Sequence, residues 1–230
     1  MKNIIQGILV TGTILAASSS ALAVPVAWTD WTSVSGNTAT GTIEGIAVTV
    51  TGTAGLNGVS QTGTGTNYWT EPDAADLAYT GGTIDNAPTA SEQVGLNTAN
   101  SITVTFGSAI NNLYMALLSV GRPNYTVTYD FDQSFTIDSE GRGFWGNDAT
   151  NGVLGANDTL AMQEFHGTLL FDAPVTTMTF DTNPGENWHA FTFGKATSVP
   201  EPGSFILLGL GLASLGFSRR KAKVQATHKL

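Results

Sequence analysis

Along most of the chain apolar and polar residues alternate one by one, in short runs broken by Gly, Asn, Asp and Pro. A period of two places one set of side chains in a core and the other in water, the pattern of a half-buried strand. Such runs fall at residues 27–33 around Trp28 and Trp31, at 38–43 and at 46–53, the last two joined across Gly45 as a hairpin. They resume at 101–106, 112–119, 125–131 and 134–138, and again at 159–171, 175–181 and 187–193. Thr, Val and aromatic residues dominate them, as strands favour. Thr103 and Thr105, Thr126 and Thr128, and Thr177 and Thr179 alternate with larger apolar residues and are expected on a solvated face. Residues 55–100 and 141–157 lack the pattern and read as long polar loops, which are functional or poorly ordered. Between residues 24 and 198 no helix-sized window has a 3.6-residue apolar period. The pattern predicts an all-β domain, an antiparallel β-sandwich of jelly-roll type with about ten strands.

Both ends break the alternation with continuous apolar segments. Residues 4–17 follow Lys2 and precede Ala21-Leu22-Ala23, together a secretory signal peptide for signal peptidase to cut after Ala23, leaving Val24 as the first mature residue. At the other end Pro200-Glu201-Pro202 stands before a Gly- and Leu-rich run at 205–217, which Arg219, Arg220, Lys221 and Lys223 follow. The prolines exclude helix and leave Glu201 as the charged handle of a stiff hinge. The apolar run spans about 20 Å as a helix against about 30 Å of bilayer hydrocarbon, short for a permanent span and suited to a transient one. Its basic flank places the C-terminus in the cytoplasm and the residues between the two segments outside.

The tail as a whole resembles the PEP-CTERM sorting signal of exported bacterial proteins, differing in that residues 224–230 continue beyond the basic cluster. The resemblance implies an exosortase that reads Pro200, Glu201 and Pro202 and removes the tail. The predicted organisation is a signal peptide at 1–23, a sandwich ectodomain at 24–198 and a sorting tail at 199–230 with its membrane helix at 205–217. A looser resemblance, carried by Trp28, Trp31, Gly41-Thr42-Ile43, Ser119-Val120-Gly121 and the closing run from Trp188 to Gly194, is to an ectodomain recurrent among PEP-CTERM proteins. It implies a β-sandwich outside the cell, often alongside exopolysaccharide, and brings no catalytic residues.

Charge changes the picture of that ectodomain. Between residues 24 and 198 only Arg122, Arg142 and Lys195 are basic, against the 17 acids that remain of the chain's 18 once Glu201 is set aside, a net charge of −14. So acidic a domain does not hold nucleic acid or anionic lipid by bulk electrostatics, and attracts cations. Without cysteine it has no disulfides, thiol nucleophile or thiolate metal site.

Candidate chemistry is sparse. Glu164 and His166, and Asp130 and Asp132, are spaced two apart and share a strand face, with His189 near the end of the domain. These are expected on a solvated outer face, because a glycan hydrolase needs two carboxylates across a cleft. No G-x-S-x-G, H-E-x-x-H or P-loop occurs, and His166 and His189, the two histidines between residues 24 and 198, cannot make a three-histidine zinc site within one chain. Binding is better motivated. Trp145 lies in a Gly-rich stretch followed by Asn147, Asp148, Asn151, Asn157 and Asp158, and Tyr68 and Trp69 stand near Glu71, Asp73 and Asp76. Aromatic faces with amides and carboxylates suit a sugar, and the same oxygens suit Ca2+, although the EF-hand order is absent. The plainer alternatives are turn residues and a core tryptophan. The expectation is a non-enzymatic exported matrix or biofilm protein without a cofactor. The alternative is a lectin-like domain, assisted or not by Ca2+, on neutral or Ca2+-bridged exopolysaccharide, and a hydrolase stands third.

Overall fold

A computed structural model describes residues 23–56, 60–89, 91–145 and 152–197. The expected signal peptide through Leu22 and the tail from Ser198, with Pro200, Glu201, Pro202 and the apolar run, lie outside the described residues. Strands β1 (Val26–Trp28), β2 (Asp30–Ser35), β3 (Thr38–Ile43), β4 (Ile46–Gly52) and β5 (Gln61–Thr62) come first. They are followed by β6 (Glu92–Leu96), β7 (Asn100–Ile110), β8 (Leu113–Val120), β9 (Val127–Phe131) and β10 (Phe135–Glu140). The last are β11 (Gly152–Leu154), β12 (Thr159–Met162), β13 (Phe165–Phe171), β14 (Val175–Asn183) and β15 (His189–Ala196).

Two antiparallel sheets face each other. One runs β11-β12-β9-β14-β7-β4-β3-β2, the other β10-β13-β8-β15-β6-β5, with β1 also on β15. From β7 onward the chain changes sheet at almost every turn. The row β7-β14-β9-β12 opposite β8-β13-β10 is the jelly-roll wrap that the alternation predicts. The early hairpin has a mechanism: Ile43 pairs with Ile46, and the two residues between them, Glu44 (φ 47°) and Gly45 (φ 79°), both take positive φ, as a two-residue turn matched to strand twist requires.

Three sequence expectations need correction. Residues 27–33 are not one strand: the chain bends at buried Thr29, whose N–H and hydroxyl both donate to the Phe193 carbonyl, so β1 and β2 join different sheets. Residues 159–171 likewise divide, at Glu164 (φ 54°), into β12 on one sheet and β13 on the other. The 55–100 stretch is not wholly irregular, since it contains β5 and the fully buried β6.

Between the sheets lies a core of Trp31, Val50, Val104, Met115, Leu117, Phe180, Phe191 and Phe193 among others. Thr103, Thr105, Thr177 and Thr179 face solvent from the eight-stranded sheet, as alternation demands. The other sheet is different, because all eight residues of β8 are buried. Its outer face, with Tyr114, Ala116, Leu118 and Ala190, is covered by the loop before β6, which contributes Trp69, Ala78, Tyr79 and Ile84 to a second core. The ends of the domain meet in this layer: Val26 pairs with Ala196, and the Thr197 N–H donates to the Pro25 carbonyl. The last described residue, Thr197, therefore lies beside the first residues of the domain.

Candidate functional site

At one end of the seven-stranded sheet β8 finishes while β13 and β15 begin, and their ends carry polar residues into a cleft. Val120 pairs with Phe165 and Leu118 with Ala190, which brings Ser119, Gly121 and Arg122 beside Glu164 and beside Glu186, Asn187 and Trp188. These residues and Trp145 line a cleft of about 260 Å³. Ser119 (φ 53°), Glu164 (φ 54°) and Gly121 (φ 75°) all hold positive φ here. For a non-glycine residue that conformation costs on the order of 1 kcal/mol, and such strain concentrates where function requires it.

The floor is a polar chain. The Ser119 hydroxyl donates to Glu164 Oε1 at 2.7 Å, and the same oxygen lies 3.4 Å from His166 Nε2. The other ring nitrogen of His166, Nδ1, is 3.1 Å from the Tyr79 hydroxyl. Burial pushes the Tyr79 phenol well above its ordinary range, and the negative charges of Glu71 and Glu164 push the same way, so Tyr79 stays a neutral hydroxyl. Beside this chain Glu186 Oε1 accepts the Gly121 N–H at 2.6 Å and lies 2.7 Å from His189 Nδ1. The His189 contact is off the N–H direction, which leaves both buried ring nitrogens without a directed hydrogen bond. Glu164, His166, Glu186 and His189 are all buried. The expected solvated face is thus wrong for Glu164, His166 and His189: the loop before β6 and the cleft rim close over Glu164 and His166, and His189 turns inward, its ring 5.8 Å from that of core Tyr129. It is right for Asp130 and Asp132, which are exposed.

The wall is aromatic. Trp145 is 44% exposed, stacks on Tyr68 at 5.4 Å with 13° between the rings, and meets Trp188 edge-on at 5.2 Å. Phe144, 40% exposed, packs edge-on to both Tyr68 and Trp145. Trp145 is therefore a surface platform, not a core plug. Trp69 separates from its neighbour: it is buried in the second core, with its indole N–H donating to the Glu92 carbonyl at 3.1 Å, and does not reach the cleft. Asn147, Asp148 and Asn151 lie outside the described residues.

The polar residues near Tyr68 hold the covering loop. Glu71 accepts the Tyr79 and Thr80 N–H groups and the Thr80 hydroxyl. Asp73 and Asp76 lie 3.7 and 3.6 Å from the Arg142 guanidinium. Asn157 (φ 57°) and Asp158 (φ 60°) form a turn. The glycines before Trp145 serve close approach: a Cβ at Gly143 would sit 2.1 Å from His166 Nδ1, and one at Gly141 would strike the backbone of residues 76–78. Among the described residues no group of three or more His, Asp or Glu side chains is placed to hold a metal ion.

Sequence reasoning missed Ser119, Gly121, Arg122, Glu186, Asn187 and Trp188. Ser119-Val120-Gly121 and Trp188-His189 stand out in the sequence as strand ends and as part of the looser ectodomain resemblance, neither of which points to a cleft.

Set beside known proteins, the chain matches the PEP-CTERM protein-sorting motif over residues 198–221. That motif marks an exported protein sorted by an exosortase and held to the membrane by its C-terminus before processing. No curated protein and no solved structure matches the chain.

Proposed function

We propose that the exported domain is a non-enzymatic glycan-binding component of the cell surface or extracellular matrix, acting on exopolysaccharide. The observation that carries this reading is the platform of Tyr68, Phe144, Trp145 and Trp188 beside the polar cleft, with Trp145 44% exposed. Exposed large aromatic faces cost solvation unless a ligand covers them, and a pyranose offers an apolar face to the ring and hydroxyls to the polar floor. Glycan-array screening followed by calorimetry tests it. Trp145→Ala weakens binding of the captured glycan by about 1–3 kcal/mol, roughly fivefold to 150-fold, with little change in melting temperature. Unchanged affinity per folded molecule overturns the reading. If Ca2+ bridges glycan to the acidic surface, chelation abolishes binding and added Ca2+ restores it.

A second reading, glycan hydrolysis, has one observation in its favour: Glu164 and Glu186 line the same cleft. Against it, the Oε1 atoms of both are taken by protein donors, the Ser119 hydroxyl and the Gly121 N–H, whereas a glycosidase turns both carboxyl groups to the scissile bond. Release of new reducing ends by the wild type, lost in Glu164→Gln, would favour the hydrolase.

A further inference from the structure

We infer that the cleft beside Trp145 selects an amine-bearing glycan, a polymer of hexosamine whose amino groups are free and protonated rather than acetylated. This rests on the glycan reading above and names the substrate class of the same site. The aromatic wall takes the apolar face of a sugar, and the charges of the floor decide which sugar.

Two carboxylates, Glu164 and Glu186, line the cleft while only 7% and 8% exposed. The cation lining it, Arg122, is exposed to solvent and has its guanidinium 4.6 Å over the Tyr125 ring. Glu164 is already held by the Ser119 hydroxyl and His166, so the oxygen that decides is one of Glu186: a carboxylate withdrawn from water favours a cationic or donor partner at close range, and a solvated guanidinium engaged with an aromatic face is a weak one. Glu186 uses Oε1 for both the Gly121 N–H and the His189 contact, and among the described residues its Oε2 has neither hydrogen bond nor ion pair. A ligand ammonium meets that oxygen with a charge-assisted hydrogen bond. The faces of Trp145 and Trp188 attract the same cation, which an acetamide or a hydroxyl does not match. At about 260 Å³ the cleft is below the size of a drug-like site, and suits one sugar residue of a longer chain passing over Tyr68 and Phe144. The domain's net charge of −14 draws a polycationic chain from solution and repels a polyanionic one. A cationic peptide answers the charges equally well, but not the stacked platform of Tyr68 and Trp145, which fits a flat ring.

The test uses the full chain in a neutral detergent and three probes: a glucosamine oligomer, the N-acetylglucosamine oligomer of equal length, and an oligolysine. The glucosamine oligomer binds about tenfold or more tightly than its acetylated counterpart, as a charge-assisted bond to a withdrawn carboxylate implies, and salt narrows the gap. Glu186→Gln, which keeps an oxygen for the Gly121 N–H, brings the two oligomers to nearly equal affinity. Equal affinity in the wild type, with both oligomers weakened by Trp145→Ala, overturns the amine selectivity and leaves glycan binding standing. Binding of neither oligomer overturns both readings. Oligolysine bound as tightly as the glucosamine oligomer overturns the sugar in favour of a peptide. Should Glu186→Gln fail to fold, the acetylation contrast and salt dependence of the wild type decide alone.

Discussion

Replacing Glu186 by Ala removes the acceptor that ties the β8 end to the β15 start. Its Oε1 takes the Gly121 N–H at 2.6 Å and contacts His189 Nδ1 at 2.7 Å, with Glu186 8% exposed and His189 fully buried. Truncation strands a buried backbone N–H, which costs about 1–3 kcal/mol. It also takes away the carboxylate oxygen that lies 2.7 Å from the buried imidazole, and a buried polar group left without its partner costs about 1–3 kcal/mol. The two terms share one carboxylate and overlap, so the expected loss is about 2–4 kcal/mol in all. In a domain of this size 1 kcal/mol moves the melting temperature by about 2–4 °C, so Glu186→Ala should melt roughly 4–16 °C below the wild type. Glu186→Gln keeps an oxygen for the Gly121 N–H and should cost about 1 kcal/mol. Thermal unfolding followed by far-ultraviolet circular dichroism, with reversibility checked, measures all three. An alanine variant within about 2 °C of the wild type, or one equal to the glutamine variant, would refute the reasoning that this oxygen holds the cleft together.

Other outcomes follow from the same structure. Trp69→Ala, in the second core, should lose about 3–5 kcal/mol in denaturant titration, whereas Trp145→Ala loses affinity and little stability; reversed roles would undo the assignment of the two tryptophans. Glu201→Ala should leave the chain uncleaved at the membrane, and mass spectrometry finding an intact tail on the wild-type surface protein would count against sorting. Burial raises the Glu92 carboxyl above its ordinary range, the Trp31 N–H it accepts opposes this, and nearby Asp30 adds to it. A carboxyl whose folded value is raised contributes its stability below the unfolded value and loses it as pH climbs through the folded one. Glu92→Gln should therefore gain on the wild type as pH climbs above the ordinary glutamate value of about 4.3, and a melting-temperature difference that stays flat over that climb would contradict it.

The fold was readable wherever one strand face meets water. Strands β3, β7 and β14 alternate buried and exposed residues, and the period of two locates them to within a few positions. What escaped was set by contacts distant in sequence. Strand β6, Glu-Gln-Val-Gly-Leu, has no apolar alternation, and its Glu92 is buried because it accepts the Trp31 N–H, 61 residues earlier. The break at Glu164 carries no Gly or Pro, and its positive φ comes with a side chain held by Ser119 on the neighbouring strand end. The site was legible only in its aromatic half. Trp145 announces itself in a Gly-rich stretch, yet those glycines are there so that the backbone can pass over His166 and residues 76–78. Glu186 belongs to no motif, and its meeting with Ser119 and Glu164 in the cleft depends on strand order.

The covering loop is what turns a sandwich into a site. Without residues 63–89, Tyr114, Ala116 and Leu118 would face water, as the outer side of an antiparallel sheet ordinarily does with polar residues. The second core makes that apolar face tolerable, and the loop in return places Tyr68 under Trp145 and Tyr79 behind His166. Strain at Ser119 and Glu164, on the order of 1 kcal/mol each, is small against burial of Trp69 and Tyr79 in the same layer. If the proposed glycan binding holds, its geometry and the fold's stability are coupled through one segment: a change that loosens the loop from Glu71 or Arg142 should lower glycan affinity and melting temperature together, whereas one at Trp145, resting on the outside, should lower affinity alone.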